Sequence, residues 1–324
     1  IYDKIALREI MAHSIAVSII IPVRNSEKYL SSCLFSAVSQ DFLLPYEVII
    51  INNGSTDNSR EIIDKYAKKY KFVRQIITDG LSVGFARKRG IEEAKGQYIC
   101  FLDSDDMYKL SFVKKMYETI TANNVDIVNC SYVKINPNGR ISRNVLARKR
   151  SLDCIHGVRS LLRDFNIRGY MPMKMYRADL IKNTKLPISS KLIMFEDFLI
   201  NFALYSKASK TTTITEPLYF YRRTNESATT NLSSNRTDLH LKCFAAVRFL
   251  AEQTGDKAVI DEFFKRGFRY WLSIFADVFL SIKVNERPFF VELHRAEKIK
   301  RVILSRKPLP IKGMLWEQLI KEIS

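Results

Sequence analysis

"VSIIIPVRNSEKYLSSCLFSAVSQ", residues 17–40, opens with a run of β-branched residues almost free of polar alternation. Such a run predicts a strand buried on both faces, the mark of a parallel sheet covered by helices. Residues 26–40 then carry helical spacing. The pattern repeats along the first third: "YEVIII" (46–51), a helix over 57–70, "FVRQIIT" (72–78), a helix over 83–94 and "QYICFL" (97–102). Strand and helix in alternation predict an α/β chain with a mostly parallel, doubly wound central sheet flanked by helices. "VDIVNCSYVKI" (125–135) reads as a further strand and "NPNG" (136–139) as a tight turn. Ligands of such sheets bind at the carboxyl ends of the strands. The segments to inspect are therefore "PVRN", "NNGSTD" and "DSDD".

"DSDD" places Asp103, Asp105 and Asp106 directly after an apolar strand. Like charges that close repel unless something positive sits among them. Two readings stand side by side. Asp and Ser commonly cap helices, and "MYKLSFVKKMYETI" follows with helical spacing. Alternatively, a divalent cation reverses the local electrostatics.

Composition narrows the class. The 324 residues are 47% hydrophobic, which fits an ordered protein large enough for a sizeable core. No apolar run approaches the roughly 18 residues that span a bilayer. The best candidate, "WLSIFADVFLSI" (271–282), is short and contains Asp277. The start, "IYDKIALREIMAHSIA", lacks the apolar region of a secretory signal, and Met11 is a candidate native start, residues 1–10 being left open. Cys33, Cys100, Cys130, Cys154 and Cys243 show no C-x-x-C spacing, which argues for a reducing compartment and against zinc. The four histidines show no ligand spacing.

The net charge of +18 is unevenly spread. Residues 1–133 hold 17 Lys/Arg against 16 Asp/Glu, whereas residues 134–240 hold 19 against 8. A field of that kind favours phosphate-rich partners: nucleic acid, anionic head groups or a lipid diphosphate. Neither G-x-G-x-x-G after the first strand nor a P-loop is present. The polar, amide-rich and acidic strand ends suit a nucleotide with a hard cation.

Four segments, "VSIIIPVRNSEKYLSSCLFSAVSQ", "EVIIINNGSTDNS", "GFARKRGIEEAKGQYICFLDSDD" and "FEDFLINF", occur in an order and spacing that resembles family 2 glycosyltransferases. The resemblance covers about residues 16–230 and implies a GT-A fold and an inverting, nucleotide-sugar-dependent enzyme. It implies that Asp103 and Asp105 are the D-x-D pair for Mn²⁺ or Mg²⁺ and the donor diphosphate, with Asp103 and Ser104 near the donor. By the same resemblance, Pro22, Val23 and Asn25 line the nucleoside pocket and Arg87 borders the donor. Asp197, with Glu196 beside it, matches the catalytic base. Those acids also suit the start of a helix, where they complement the macrodipole.

The chain departs from the family at Asn52-Asn53, where two Asp are common and one contacts the base. An Asn carbonyl still accepts the uracil imide proton, without charge. Arg24 and Lys88 stand where Tyr and Asn are common. "MPMKMYRADL" (171–180) resembles the segment closing the acceptor side, and brings Lys174 and Arg177 forward as phosphate contacts or as an amphipathic face. "YFYRRTNESATT" (219–230) is a candidate lid.

The expectation is a GT-A domain over 1–235, with a nucleotide half to about 133, and a C-terminal helical domain over 236–324. Helices are expected there over about 236–254, 258–284, 288–305 and 312–323. The expected reaction moves a sugar from a UDP-sugar to a hydroxyl of a glycan, borne on a lipid diphosphate or protein, in bacterial surface polysaccharide or glycoprotein synthesis. The expected place is the cytoplasm, with peripheral membrane contact and homo-oligomer contact through the helices left open, and no nucleic acid partner. A sugar-phosphate nucleotidyltransferase would need a Gly-rich loop that "PVRNSEKYL" lacks. An inactive scaffold is the non-enzyme alternative, kept open by Asn52-Asn53.

Overall fold

A computed structural model describes residues 14–80, 82–147, 151–163, 169–189, 196–224 and 236–266, with side chains left aside for 236–244. The chain divides into two compact units. The first comprises residues up to Cys154 together with Tyr170–Lys185 and Lys207–Asn225.

The first unit contains the whole sheet. The run read at the outset forms β1 (Val17–Val23), followed by α1 (Glu27–Val38), β2 (Tyr46–Asn53), α2 (Ser59–Lys69), β3 (Val73–Thr78), α3 (Val83–Glu93) and β4 (Tyr98–Phe101). Strands β3-β2-β1-β4 lie side by side and parallel. Ile19, Ile20, Ile21 and Val48 through Ile51 have no exposed surface, as a sheet covered on both faces requires. Each such side chain contributes about 1.5–3 kcal/mol of burial. Helix α3 approaches β1 so closely that a Cβ at Gly90 would lie 2.4 Å from Ile20 Cγ2.

Beyond β4 the sheet becomes mixed. The elements are β5 (Met107–Tyr108), α4 (Phe112–Ala122), β6 (Ile127–Ile135), β7 (Ile141–Val145), β8 (Ser151–Asp153), β9 (Lys174–Arg177), α6 (Ala178–Asn183) and β10 (Lys210–Arg222), with α5 (Cys154–Arg163) between β8 and β9. The order continues β4-β9-β6-β10-β5. Strands β9 and β5 are antiparallel to their neighbours, whereas β6 and β10 are parallel. "NPNG" makes the predicted turn, with Gly139 at φ +83° and its N–H donating to Asn136 O at 2.9 Å.

The second unit is helical in its described parts: α5 from Ile155, α7 (Glu196–Tyr205), α8 (Arg236–Gln253) and residues 257–266. Helix α7 packs on α8. Buried Glu262 accepts from Arg163 at 2.9 and 2.6 Å and from Arg266 at 3.1 Å. The Arg163 hydrogen bond leads in pulling its carboxyl down to about 2. Most of the further helices expected after residue 258 lie outside the described residues, as do residues 225–230 of the candidate lid. No helix among the described residues is long and apolar enough to cross a membrane.

Candidate active site

The carboxyl ends of β1, β2 and β4 carry the residues singled out above. At β1, Pro22 and Val23 are buried within the strand. Asn25 is exposed and left-handed at φ +49°, a strain that its side chain offsets. Its Oδ1 accepts from Thr56 N at 2.8 Å and its N–H donates to Ser55 Oγ at 3.2 Å, tying the β1 and β2 loops together. Gly54 is also left-handed, and a Cβ there would meet Gly80 N at 2.9 Å. Asn52 and Asn53 are buried, and their carbonyls are engaged. Asn52 Oδ1 accepts from Ser55 N at 3.2 Å, and Asn53 Oδ1 from Thr78 Oγ1 at 2.9 Å.

The "DSDD" turn is not a helix cap. Asp103 to Asp106 form a turn closed by Asp106 N donating to Asp103 O at 3.0 Å, and β5 intervenes before α4 begins at Phe112, behind Ser111. Arg87, nearly buried on α3, donates to Asp103 Oδ1 at 2.8 Å. Ser104 and Ser26 share a hydroxyl hydrogen bond at 2.6 Å, joining this turn to the start of α1. Burial, then the Asp103 charge, pushes the Asp105 carboxyl up to about 6. Lys88 and Arg24 are exposed.

The third aspartate has a different job. Asp106 is buried and accepts from Tyr219 Oη at 2.6 Å and from Arg222 N at 2.7 Å. Arg222 also donates through Nε to Asp105 O at 3.0 Å and through Nη1 to Pro137 O at 3.0 Å, while its guanidinium stands 4.7 Å over the Tyr29 ring. Cys33 Sγ donates to Asp103 O at 3.5 Å from behind. The end of β10 thus straps the carboxylate turn in place. Neither Tyr219 nor Arg222 was singled out as a site residue. The signal was the position of "YFYRR" at a strand end, obscured by its reading as a lid: Tyr219–Arg222 belong to β10.

Removing a partner from a buried carboxylate costs about 1–3 kcal/mol. Tyr219→Phe is accordingly expected to destabilise the fold by about that amount. Urea unfolding checks it; an unchanged midpoint would mean that the strap holds nothing.

One acceptor-side expectation is corrected. Lys174 is fully buried and its Nζ donates to Tyr170 O, so its ammonium does not face solvent. Arg177 lies 3.4 Å from Asp126 and donates to Asn124 Oδ1 at 3.0 Å. In the second unit, Glu196 and Asp197 occupy the first turn of α7. Asn201 Nδ2 donates to Asp197 O at 2.8 Å and to Gly169 O at 3.1 Å, anchoring that turn.

The Glycosyl transferase family 2 model matches residues 18–184, more than half of the chain. The chain belongs to glycosyltransferase family 2. This family 2 chain is 26% identical over 281 residues to the poly(ribitol-phosphate) beta-N-acetylglucosaminyltransferase TarS of Staphylococcus aureus, covering 85% of the chain and 48% of TarS. It is 31% identical over 246 residues to the cholesterol galactosyltransferase of Borreliella burgdorferi, covering 72% of the chain and 66% of that enzyme. The chain spans about half to two thirds of the length of such curated relatives. Residues 1–349 of S. aureus TarS in complex with UDP superpose with TM-score 0.66 at 22% identity, over 95% of this chain and 89% of that one. The same fragment in complex with UDP-GlcNAc gives 0.61 at 19% identity, over 96% and 82%. The fold is therefore GT-A, and the chain is homologous to bacterial glycosyltransferases.

Proposed function

We propose that this glycosyltransferase moves a sugar from a UDP-sugar onto a hydroxyl of a glycan acceptor, with inversion and with help from Mn²⁺ or Mg²⁺. The observation that carries the reading is the strapped carboxylate turn at the end of β4, beside Arg87. Asp103 and Asp105 offer hard oxygen ligands, and burial with the Asp103 charge holds the Asp105 carboxyl up at about 6 even with Arg222 nearby, a strain that a cation would relieve. Among the described residues no group of three or more His, Cys, Asp or Glu is arranged to hold a metal. A site built from these two carboxylates would be completed by donor phosphate oxygens and water, as suits Mg²⁺ or Mn²⁺. When bound, the cation stabilises charge on the departing diphosphate.

The chain's own residues do the remainder. Arg87 holds Asp103 aimed, and Asn25, Ser55 and Thr56 keep the two nucleoside loops together. Asp197 takes the proton from the acceptor hydroxyl as that oxygen attacks the anomeric carbon from the face opposite the leaving group. Glu196 supports it. Catalysis is assigned to residues 1–235, with 236–324 as a helical appendage. The relatives named for glycan polymers and the fragment solved with UDP-GlcNAc support a surface-glycan acceptor and a uridine donor.

Thermal-shift screening of nucleotide sugars with and without Mn²⁺ tests the reading, because a ligand of the folded state raises its stability. Asn52 and Asn53 place neutral amides where a carboxylate is common, so uridine diphosphate is expected to bind, though less tightly than to a carboxylate. Calorimetry that found guanosine or thymidine diphosphate tighter would overturn the donor.

A further inference from the structure

Between Asp126 and Asp153 the chain carries six Lys/Arg and no acidic residue. Those described sit on the β6–β7 hairpin and the turn between its strands. Lys134 lies directly opposite Arg143 in the β6–β7 register, and Tyr221 of β10 lies opposite Lys134 on its other side. Directly paired positions share one face of a sheet, so Tyr221, Lys134 and Arg143 form a row across three strands. Tyr132, two residues along β6, meets the Tyr221 ring edge-on at 6.2 Å. Arg143 is exposed and Lys134 partly so. Among the described residues no carboxylate pairs with Lys134, Arg140 or Arg143. Two like charges facing each other across a ladder oppose folding. A sheet keeps such a pair at a cost, which an anion between them removes.

The row is also placed beside the chemistry. Tyr219, two positions before Tyr221 and so on the same face of β10, donates to Asp106 Oδ2 of the carboxylate turn at 2.6 Å. A ligand resting on the row would share that face with the carboxylate turn. We infer that Tyr221, Lys134 and Arg143 form a subsite for an acceptor that carries phosphate along its glycan chain: the cations take a phosphate and the partly exposed Tyr221 ring, backed by buried Tyr132, offers a face for a sugar ring. The inference rests on the donor reading above for its orientation, and names the acceptor chemistry that reading leaves open.

The test uses long-chain inorganic polyphosphate as probe, on the full chain at physiological salt. Lys134→Gln/Arg143→Gln should weaken binding by about tenfold and flatten its salt dependence. The charge-matched Lys68→Gln/Lys69→Gln control, on exposed α2 positions, should leave binding near the parent. The hairpin variant, relieved of a like-charge pair, should unfold no lower than the parent, and its Mn²⁺-dependent UDP affinity should be unchanged. Equal losses in both variants, no loss in either, or a marked fall in unfolding temperature of the hairpin variant would overturn the subsite. So would hairpin-dependent capture by phosphatidylglycerol vesicles without polyphosphate binding, which would make the row a membrane contact. Asp105→Ala separates the two readings. It should keep polyphosphate binding while losing Mn²⁺-dependent UDP binding; if it keeps both, the donor reading falls and the row's own result stands.

Discussion

Asp105→Ala is expected to abolish sugar transfer while leaving the chain folded. Arg87 faces Asp103, so Asp105 is the less neutralised member of the pair. A lost electrostatic contact to a departing anion typically costs about 10²–10³ in rate, and a lost metal ligand more. The fold should not suffer, because the carboxylate opposes it. Its folded pKa of about 6 lies above the ordinary value of 3.8, so ionisation costs stability. The cost is absent below the ordinary value and complete above about 6. Without metal, the variant should therefore match or exceed the parent in thermal stability near pH 7.5. The parent's gain in unfolding temperature from Mn²⁺ should be larger at pH 7.5 than at pH 5.5, where protons compete for the site. Full transfer in EDTA, or in the variant, would remove the metal from the mechanism.

Asp197→Asn should bind donor and metal nearly as well as the parent yet transfer sugar orders of magnitude more slowly. Its position in the first turn of α7 puts the helix dipole behind the ionised form, and the Asn201 amide holds the turn's backbone. A base acts in the transition state, so its loss lowers kcat far more than it weakens ground-state binding. Glu196→Gln should be milder. Steady-state kinetics with calorimetric donor binding decides: near-parental kcat in Asp197→Asn with a loss in Glu196→Gln would reverse the order of the pair, and indifference in both would discard "FEDF".

The parallel half of the sheet was legible because β1, β2 and β4 are buried on both faces, and continuous apolar runs have few other uses. The acids after β4 stood out in the sequence, but a helix cap and a cation site read alike there until β5 was found between them and the helix. Less visible was how the site is held. Asp106 resembles its neighbours in sequence, and only its bonds to Tyr219 and Arg222 separate a strapped residue from a ligand. Lys174 read as a surface cation because a four-residue strand, buried against neighbours far away in sequence, leaves no periodic trace. The Lys134–Arg143 pairing was hidden for the same reason: register is a property of two strands, not of one.

The strap also bears on the order in which the molecule comes together. Tyr219 and Arg222 lie 113 and 116 positions downstream of the aspartate they bind. Contacts closed over such spans are late rewards, since the chain must surrender loop entropy before making them. The nucleotide half can lay down its parallel strands from local units as it emerges from the ribosome. Its carboxylate turn acquires a fixed shape only when β10, the last of the described strands, docks. The fold is thus built so that assembly ends at the proposed donor site, and a nascent or clipped chain lacking β10 carries the "DSDD" turn without the strap that holds it.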